Sequence, residues 1–267
     1  MRLYFLCAVL FCFASTLAQS VSPQIGSRAN GIGYASATLV DVWGLFNNPA
    51  ATAQQKHITT GFTYDLHPSI SGANRTAAVV NIPVGIGVTG IGAYRFGDDL
   101  YNEHILSIGF ANKFGLASLG AQVNYLQYTA TGFGNKGVVS INLGGIAELT
   151  PQLSVGAYVV NVNQPALSSD EKLPTRLVAG VALKPIEKIF IAIEVDKDLD
   201  FDPLWKLGLE YFVHKKFAVR TGYNLNPNTG FFGLGFKTRK IMIDYAFQYN
   251  VLLKMSQQAS VSFQFAK

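Results

Sequence analysis

Charged residues are scarce in this chain of 267 residues, where they make up 14% of the sequence. A soluble domain carries about 25% charged residues. Hydrophobic residues account for 49%, yet beyond the N-terminus no uninterrupted apolar run approaches the roughly 20 residues that a membrane-spanning helix needs. The composition argues against both a soluble domain and a helical membrane protein. It is typical of a membrane β-barrel, in which apolar and polar residues alternate.

Cysteine is almost absent, and the two that exist, Cys7 and Cys12, lie near the N-terminus. There Arg2 precedes a short apolar core and small residues follow, which is the pattern of a secretion signal cleaved after Ala18. We therefore expect residues 1–18 to be a signal peptide and the mature chain to lack cysteine. A disulfide or a thiolate metal site is then excluded. Loss of Arg2 lowers the formal net charge from +5 to +4, too little to suggest nucleic acid as a partner.

Recognisable catalytic motifs are missing as well. The histidines (His57, His67, His104 and His214) are scattered, and none lies near a serine or carboxylate in a nucleophilic arrangement. No zinc-protease motif and no phosphate-binding loop occurs. The sequence therefore predicts no enzyme, no catalytic residue, no metal site and no cofactor.

Four aspartates alternate along one stretch: Asp196, Asp198, Asp200 and Asp202. Alternating carboxylates can chelate calcium, but this stretch lacks the glycine and the bidentate glutamate of a calcium loop. We expect a solvated outer loop here, with weak divalent-ion contacts as the alternative.

From Lys56 onward, apolar and polar residues alternate with a period of two. In the stretch 116–129, Leu119 and Val123 fall on one face and Gln122 and Asn124 on the other, as expected for a β-strand. Fourteen such stretches occur, with the weakest pattern in the second and third: 57–65, 76–82, 85–95, 103–112, 116–129, 138–149, 153–162, 175–184, 189–196, 204–213, 217–224, 230–237, 241–249 and 257–265.

Connections between these stretches are alternately very short and longer, and the longer ones are more acidic. This asymmetry is typical of outer-membrane barrels, whose short turns face the periplasm. Aromatic residues such as Trp205, Tyr211 and Tyr249 lie near the strand ends, where a membrane–water boundary is expected. We therefore predict an all-β fold, a 14-stranded antiparallel transmembrane barrel over residues 56–267. It would lie in the outer membrane of a Gram-negative bacterium, in contact with lipid and lipopolysaccharide.

Several charged residues would point into such a barrel, since the apolar faces must point to lipid. Their signs largely alternate from strand to strand, and an unpaired buried charge is costly. We expect an ion-pair network that braces the wall, and the alternative is a polar path or a site for a carboxylate head group. The residues are Arg176, Glu194, Lys206, Glu210, Arg220, Lys237 and Asp244.

The stretch Gly26–Ala53 is rich in glycine and small residues and follows neither a strand nor a helix pattern. A barrel of fourteen strands has an interior too wide for inward side chains alone to fill. We therefore predict that residues 19–55 form a plug, or hatch, inside the barrel, with Arg28 and Asp41 meeting the charged wall. The candidate plug residues are Arg28, Asn30, Gly31, Gly33, Asp41, Asn48, Pro49 and Ala50.

The run 27–35 (SRANGIGYA), followed by Asp41 and by Asn48-Pro49-Ala50, resembles the N-terminal signature of the PorV/PorQ family. It is also similar to the hatch of the FadL family of long-chain fatty-acid transporters. The resemblance implies a fourteen-stranded outer-membrane barrel with a plugged interior. The PorV/PorQ proteins belong to the type IX secretion machinery of Bacteroidetes, in which they hold partner proteins. FadL-type transporters are much longer and have large outer loops.

The modest length of the chain favours the PorV/PorQ type. We therefore expect a non-enzymatic accessory in type IX secretion or surface-protein attachment, with other envelope or secretion-system proteins as partners. The alternative is a FadL-like channel for uptake of hydrophobic small molecules such as fatty acids, with a hydrophobic ligand in the interior.

Overall fold

The computed structural model describes residues 23–132, 134–167, 172–199 and 201–265. The predicted signal peptide, the first residues of the predicted plug and Asp200 lie outside these ranges. Three short helices come first, followed by fourteen strands. The helices are α1 (Ser27–Gly31), α2 (Gly44–Asn47) and a 3-10 helix (Pro49–Gln54). The strands are β1 (Thr59–Leu66), β2 (Arg75–Val84), β3 (Gly87–Gly97), β4 (Tyr101–Phe114), β5 (Ala117–Ala130), β6 (Gly134–Glu148), β7 (Leu153–Val160), β8 (Arg176–Leu183), β9 (Ile189–Asp198), β10 (Leu204–His214), β11 (Phe217–Leu225), β12 (Thr229–Lys237), β13 (Ile241–Asn250) and β14 (Lys254–Gln264).

The strands form one closed antiparallel barrel, in which each strand pairs with its neighbours in sequence. The barrel closes where β1 pairs with β14, with Thr59 opposite Gln264 and Leu66 opposite Gln257. Closure leaves no unpaired sheet edge between the first and last strands. The prediction of an all-β, 14-stranded antiparallel barrel is thus confirmed.

Several predicted loops are shorter than expected because the hairpin ladders continue into them. Strand β6 begins at Gly134 and β14 at Lys254, so the connections before them contain only residues 131–133 and 251–253. The longest connection is 161–175, between β7 and β8. The two stretches with the weakest pattern form β2 and β3. The pattern of β3 is weak because Gly90 and Gly92 face inward, where Leu45 and Phe46 lie against them, and that of β2 is weak because its inward residues Ala77 and Val79 are apolar.

The two faces of the wall differ in polarity. On β5, Leu119 is 56% exposed on the outside, whereas Ser118 and Gln122 are buried on the inside. Large apolar side chains are exposed on the outside of nearly all strands, for example Phe62, Leu106, Ile193 and Val261. The outer surface is therefore apolar all the way round the barrel. Among the described residues, no helix is long and apolar enough to cross a membrane.

Residues 23–55, which we call the internal segment, lie inside the barrel. Helix α1 contacts β11 to β14, and the 3-10 helix contacts β3 to β6. Inward-facing glycines allow this close approach. A Cβ atom on Gly156 would lie 2.2 Å from the carbonyl oxygen of Ala37, and one on Gly208 would lie 2.6 Å from that of Ile32. The segment thus packs backbone to backbone against the wall.

Candidate functional site: the barrel interior

Arg28 of α1 is the main ionic link between the internal segment and the wall. Its guanidinium donates to both carboxylate oxygens of Glu210, at 2.9 and 2.6 Å, and also to the carbonyl oxygen of Val40 at 3.0 Å. Such a bidentate pair fixes orientation as well as charge. Arg28 therefore ties the start of the segment to β10.

Glu210 continues the network into the wall. It accepts from Nε of Arg220 at 2.5 Å, and Nη1 of Arg220 reaches Asp244 at 2.7 Å. Arg220 and Asp244 lie on β11 and β13, so their side chains meet across β12. The intervening residue there is Gly235, on which a Cβ would lie 2.6 Å from the Arg220 guanidinium. A glycine at this position is what allows the pair to form.

A second ionic cluster lies nearer the long-loop end. Nζ of Lys206 lies 2.8 Å from Glu194 and 3.0 Å from Asp196, and Arg176 also pairs with Asp196. Glu194 additionally accepts from the backbone N–H of Ala37 at 2.6 Å. Wall and internal segment therefore share this cluster too.

Two sequence-based predictions on charged residues are corrected. Asp196 and Asp198 lie on β9 and are buried, so they are not part of a solvated loop, because β9 continues two residues further than its pattern showed. Lys237 is exposed at the end of β12, and no ion pair involves it within the described part of the chain. Its place at the strand end lets it reach water, so it does not join the network.

One buried ion pair was missed altogether. Arg75 at the start of β2 donates through Nε to Asp65 of β1 at 2.7 Å. Its guanidinium also donates to the hydroxyl of Tyr34, in the internal segment, at 3.0 Å. Arg75 lies between the predicted strands 57–65 and 76–82, because the alternation of β2 begins only after it. The signal available was Asp65, which continues the inward face of β1.

The glycines of the predicted plug motif lie at close contacts with the wall. Gly33 has a left-handed backbone (φ +68°) and would clash with Asn224 of β11 if it carried a Cβ. Gly31 lies against Gly233 and Arg220. Asn30 is fully buried, and its backbone carbonyl accepts from the N–H of Gly33 at 2.9 Å. Glycine at these positions thus permits the turn after α1 to pack closely against the inner surface of β10 to β12.

The second part of the motif caps the 3-10 helix. The Asn48 side chain accepts from the N–H of Ala50 at 3.0 Å and donates to the carbonyl of Ala37 at 2.6 Å. Pro49 occupies the first helical position, where its missing N–H costs nothing. Pro49 and Ala50 press against Gly120 of β5. The motif therefore shapes the end of the internal segment and seats it on β5 and β6.

Asp41 forms no salt bridge with the wall among the described residues, in contrast to the prediction for it. One carboxylate oxygen accepts from the N–H of Trp43 at 2.8 Å, and the other is buried without a hydrogen-bond partner among the described residues. Burial raises the pKa of this carboxyl to about 6, against the opposing charge of Arg28. A buried carboxyl group in which one oxygen lacks a hydrogen-bond donor favours the neutral, protonated form.

The opposite sector of the interior carries a cluster of apolar side chains, with the buried Arg75 and Glu103 at its long-loop end. We call it the apolar interior face. It carries the buried Ala77, Val79, Tyr94, Ile105 and Leu126, with the partly buried Phe96, Tyr128 and Val138 nearer the long loops. Leu167 and Leu173 of the connection 161–175 pack against it from above, and Trp43, Leu45 and Phe46 of the internal segment from below.

The described residues contain no group of three or more potential metal ligands. The interior thus offers paired charges in one sector and an apolar surface in the other. Paired charges hold the internal segment, and an apolar surface can contact an uncharged hydrophobic molecule.

No protein-family model matches the sequence, and no curated protein matches it. Several solved structures match its fold. A monoaromatic hydrocarbon channel, CymD, matches with a TM-score of 0.73 and 15% identity, over 92% of this chain and 99% of that chain. The Ralstonia pickettii toluene transporter TbuX matches with a TM-score of 0.67 and 12% identity, over 92% and 99%. A Pseudomonas aeruginosa FadL homologue matches with a TM-score of 0.63 and 11% identity, over 91% and 99%. At these identities the likeness is one of fold. The chain has the barrel fold of these three proteins, whereas the PorV/PorQ resemblance stays a prediction.

Proposed function

We propose that this protein is a non-enzymatic outer-membrane channel that takes up hydrophobic small molecules. The apolar interior face is the observation that carries the proposal. It runs from the internal segment to the long-loop end, where Phe96, Tyr128 and Val138 are only partly buried. The shared fold with channels described as hydrocarbon or toluene transporters supports the same conclusion.

The outer surface supports the membrane location. Side chains such as Leu106, Phe62 and Leu177 are more than half exposed on the outside of the wall. Exposure of large apolar residues around a whole circumference would be costly in water, but it matches a hydrocarbon environment. The predicted signal peptide provides the export route.

The substrate class follows from the lining of the apolar interior face. Aliphatic residues and the rings of Tyr94, Phe96 and Tyr128 surround this sector. Stacked or edge-on ring contacts favour aromatic or aliphatic molecules without charge. Entry would take place at the long-loop end, and passage further down requires the internal segment to move, because it fills the space below.

A charge placed in the apolar interior face tests the proposal. Leu126→Asp should reduce uptake of radiolabelled toluene to background, because an apolar substrate would have to displace the water that hydrates the new carboxylate. Asn124→Asp is the matched control, since Asn124 faces inward one step lower on the same strand, outside the apolar interior face. Uptake is measured in cells whose outer membrane carries each barrel, with heat-dependent gel mobility as the folding check. Equal uptake by both variants and the native barrel would refute the channel.

A second candidate is an accessory of the PorV/PorQ type. The observation that favours it is the tight anchoring of the internal segment through Arg28, Glu194 and the close glycine contacts. A barrel that never opens would act through its surfaces, by holding other envelope or secretion-system proteins. Extraction in mild detergent followed by mass spectrometry distinguishes the accessory from the channel. Stoichiometric recovery of envelope proteins with the barrel supports the accessory. Recovery of the barrel alone, with a bound hydrophobic ligand, supports the channel.

A further inference from the structure

A groove of about 870 Å³ crosses the outer wall of the barrel, on the side opposite β14. Neighbouring strands contribute one residue each to a continuous row along it, and the central positions are glycine or alanine. Bulky residues stand at both ends of the row. The row consists of Leu119, Gly145, Ala157, Ala179, Val195 and Trp205. We call the space above it the outer groove.

The outer groove runs obliquely across the wall, from the short-turn end toward the long-loop end. Leu119 is the third residue of β5, near the short-turn end, whereas Trp205 is the second residue of β10, near the long-loop end. Five interstrand steps of about 4.8 Å give the row a length of about 24 Å. With strands tilted by about 40°, the row rises about 15 Å. That rise is about half of a hydrocarbon core about 30 Å thick, which is comparable to the reach of one acyl chain from the head-group level.

The sides of the outer groove restrict what fits into it. Adjacent rows on one face of a sheet lie about 7 Å apart, which leaves room for a single hydrocarbon chain. The next row toward the long loops is bulkier: Leu143, Val159, Leu177 and Lys197. The row on the other side carries Val155, Val181 and Ile193. An extended acyl chain fits this shape.

A cation and an aromatic residue mark the upper end of the outer groove. Lys197 follows Val195 by two residues on β9 and is exposed on the same outward face, where its ammonium group also donates to the carbonyl oxygen of Phe201. Trp205 is 48% exposed beside it on the paired strand. Tryptophan prefers the head-group level of a membrane, and lysine there attracts lipid phosphate. The groove therefore has a polar end where a head group would lie.

We propose that the outer groove binds one acyl chain of lipid A, with a phosphate of that lipid at Lys197. The proposal rests on the outer-membrane location given above, which places the long-loop end in the leaflet that contains lipopolysaccharide. Charge complementarity at Lys197 and the apolar, single-chain width of the groove identify the occupant. A glycerophospholipid offers similar chemistry and is distinguished by the experiment.

Trp205 reports on the occupant directly, because Trp43, the other tryptophan, is buried in the interior. The full barrel is placed in bilayers of phospholipid with brominated acyl chains, which quench Trp205, and unbrominated lipid A is added. If lipid A mixed randomly around the barrel, the quenched fluorescence of Trp205 would recover in proportion to the lipid A fraction. We expect recovery at lipid A fractions about tenfold lower, which corresponds to preferential binding. The double variant Ala157→Leu with Ala179→Leu fills the groove and should abolish this preference, as should Lys197→Ala.

Matched controls separate the groove from the rest of the surface. Ala259→Leu makes the same change on β14, on the opposite outer face, and Lys136→Ala removes an exposed lysine at the same end of the barrel. Both should recover like the native protein. Recovery merely proportional to lipid A content, persistent quenching by phospholipid, or equal preference in the filled groove would each overturn the proposal. A barrel that does not float with the vesicles would instead contradict the membrane location itself.

Discussion

Buried charges in the interior of this barrel are satisfied by partners from different elements. Glu210 accepts from Arg28 of the internal segment and from Arg220 of the neighbouring strand. Glu194 likewise joins Lys206 to the backbone of Ala37. Removal of one member of a buried pair costs more than the pair itself contributes, because the other charge stays behind. These residues therefore link the wall and the segment energetically.

Arg28→Ala is expected to loosen the internal segment. Glu210 keeps Arg220 as a partner, so the loss is limited to the hydrogen bonds of Arg28, about 2 kcal/mol of stability. The measurement is the temperature at which the barrel loses its compact gel mobility, together with ion conductance in a planar bilayer, which should rise. Arg239→Ala, at an exposed turn, is the control and should change neither. Native values for both readouts in Arg28→Ala would argue against this role.

Asp41 predicts a pH dependence of stability. Its pKa is raised from 3.8 to about 6 in the folded protein, so the folded state holds a proton that the unfolded chain has lost. This contribution is fully present below about pH 4 and is lost as the pH rises through 6; it amounts to about 3 kcal/mol. Asp41→Asn should remove that part of the pH profile and stabilise the barrel at pH 7. Parallel unfolding curves of variant and native protein between pH 4 and 7 would contradict the assignment.

At the scale of elements, inward-facing glycines decide how closely the internal segment meets the strands. Gly156, Gly208 and Gly222 lie on β7, β10 and β11, and each faces backbone atoms of the segment. Glycine weakens an isolated strand. Here the close approach that it permits compensates for that weakness, and the polar backbone of the segment is enclosed without an intervening layer of side chains.

Gly222→Ala should destabilise the packing of the segment. The added Cβ would lie 2.3 Å from the backbone nitrogen of Gly33, and overpacking of this kind costs about 2 kcal/mol. Gly230→Ala on the adjacent strand is the matched control, since no atom lies within 4 Å of its Cβ position. Thermal unfolding of the two variants should therefore diverge. If both unfold like the native barrel, the segment does not pack against β11 as described.

At the scale of the whole molecule, the internal segment closes the space below the apolar interior face. Uptake through the barrel then requires the segment to shift relative to the wall. A closed ring of fourteen strands is stiff because every strand is paired on both sides. The segment, held by side chains and close contacts, is the part that can move while the ring stays intact.

A disulfide between segment and wall tests this movement. A Cβ on Gly180 would lie 3.1 Å from that of Ala37, close to the separation of about 3.8 Å in disulfides. Cys7 and Cys12, within the predicted signal, are the only native cysteines. The double variant Ala37→Cys with Gly180→Cys should lose hydrocarbon uptake when oxidised and regain it on reduction, whereas Ala37→Cys alone should be insensitive to both treatments. Undiminished uptake by the oxidised protein would show that the segment need not move.

Local pattern determined much of this protein. Apolar side chains facing lipid impose a period of two, and so the fourteen strands, their inward faces and residues such as Glu210 and Asp244 follow from the sequence alone. The partners of those residues do not, because pairing depends on register and on neighbouring strands. Asp65 with Arg75 and Asp196 with Lys206 emerge only when the register of each hairpin is set. The apolar interior face is likewise a tertiary feature. Its members come from five strands, and the inward faces of the same strands also carry polar residues such as Ser107 and Asn124.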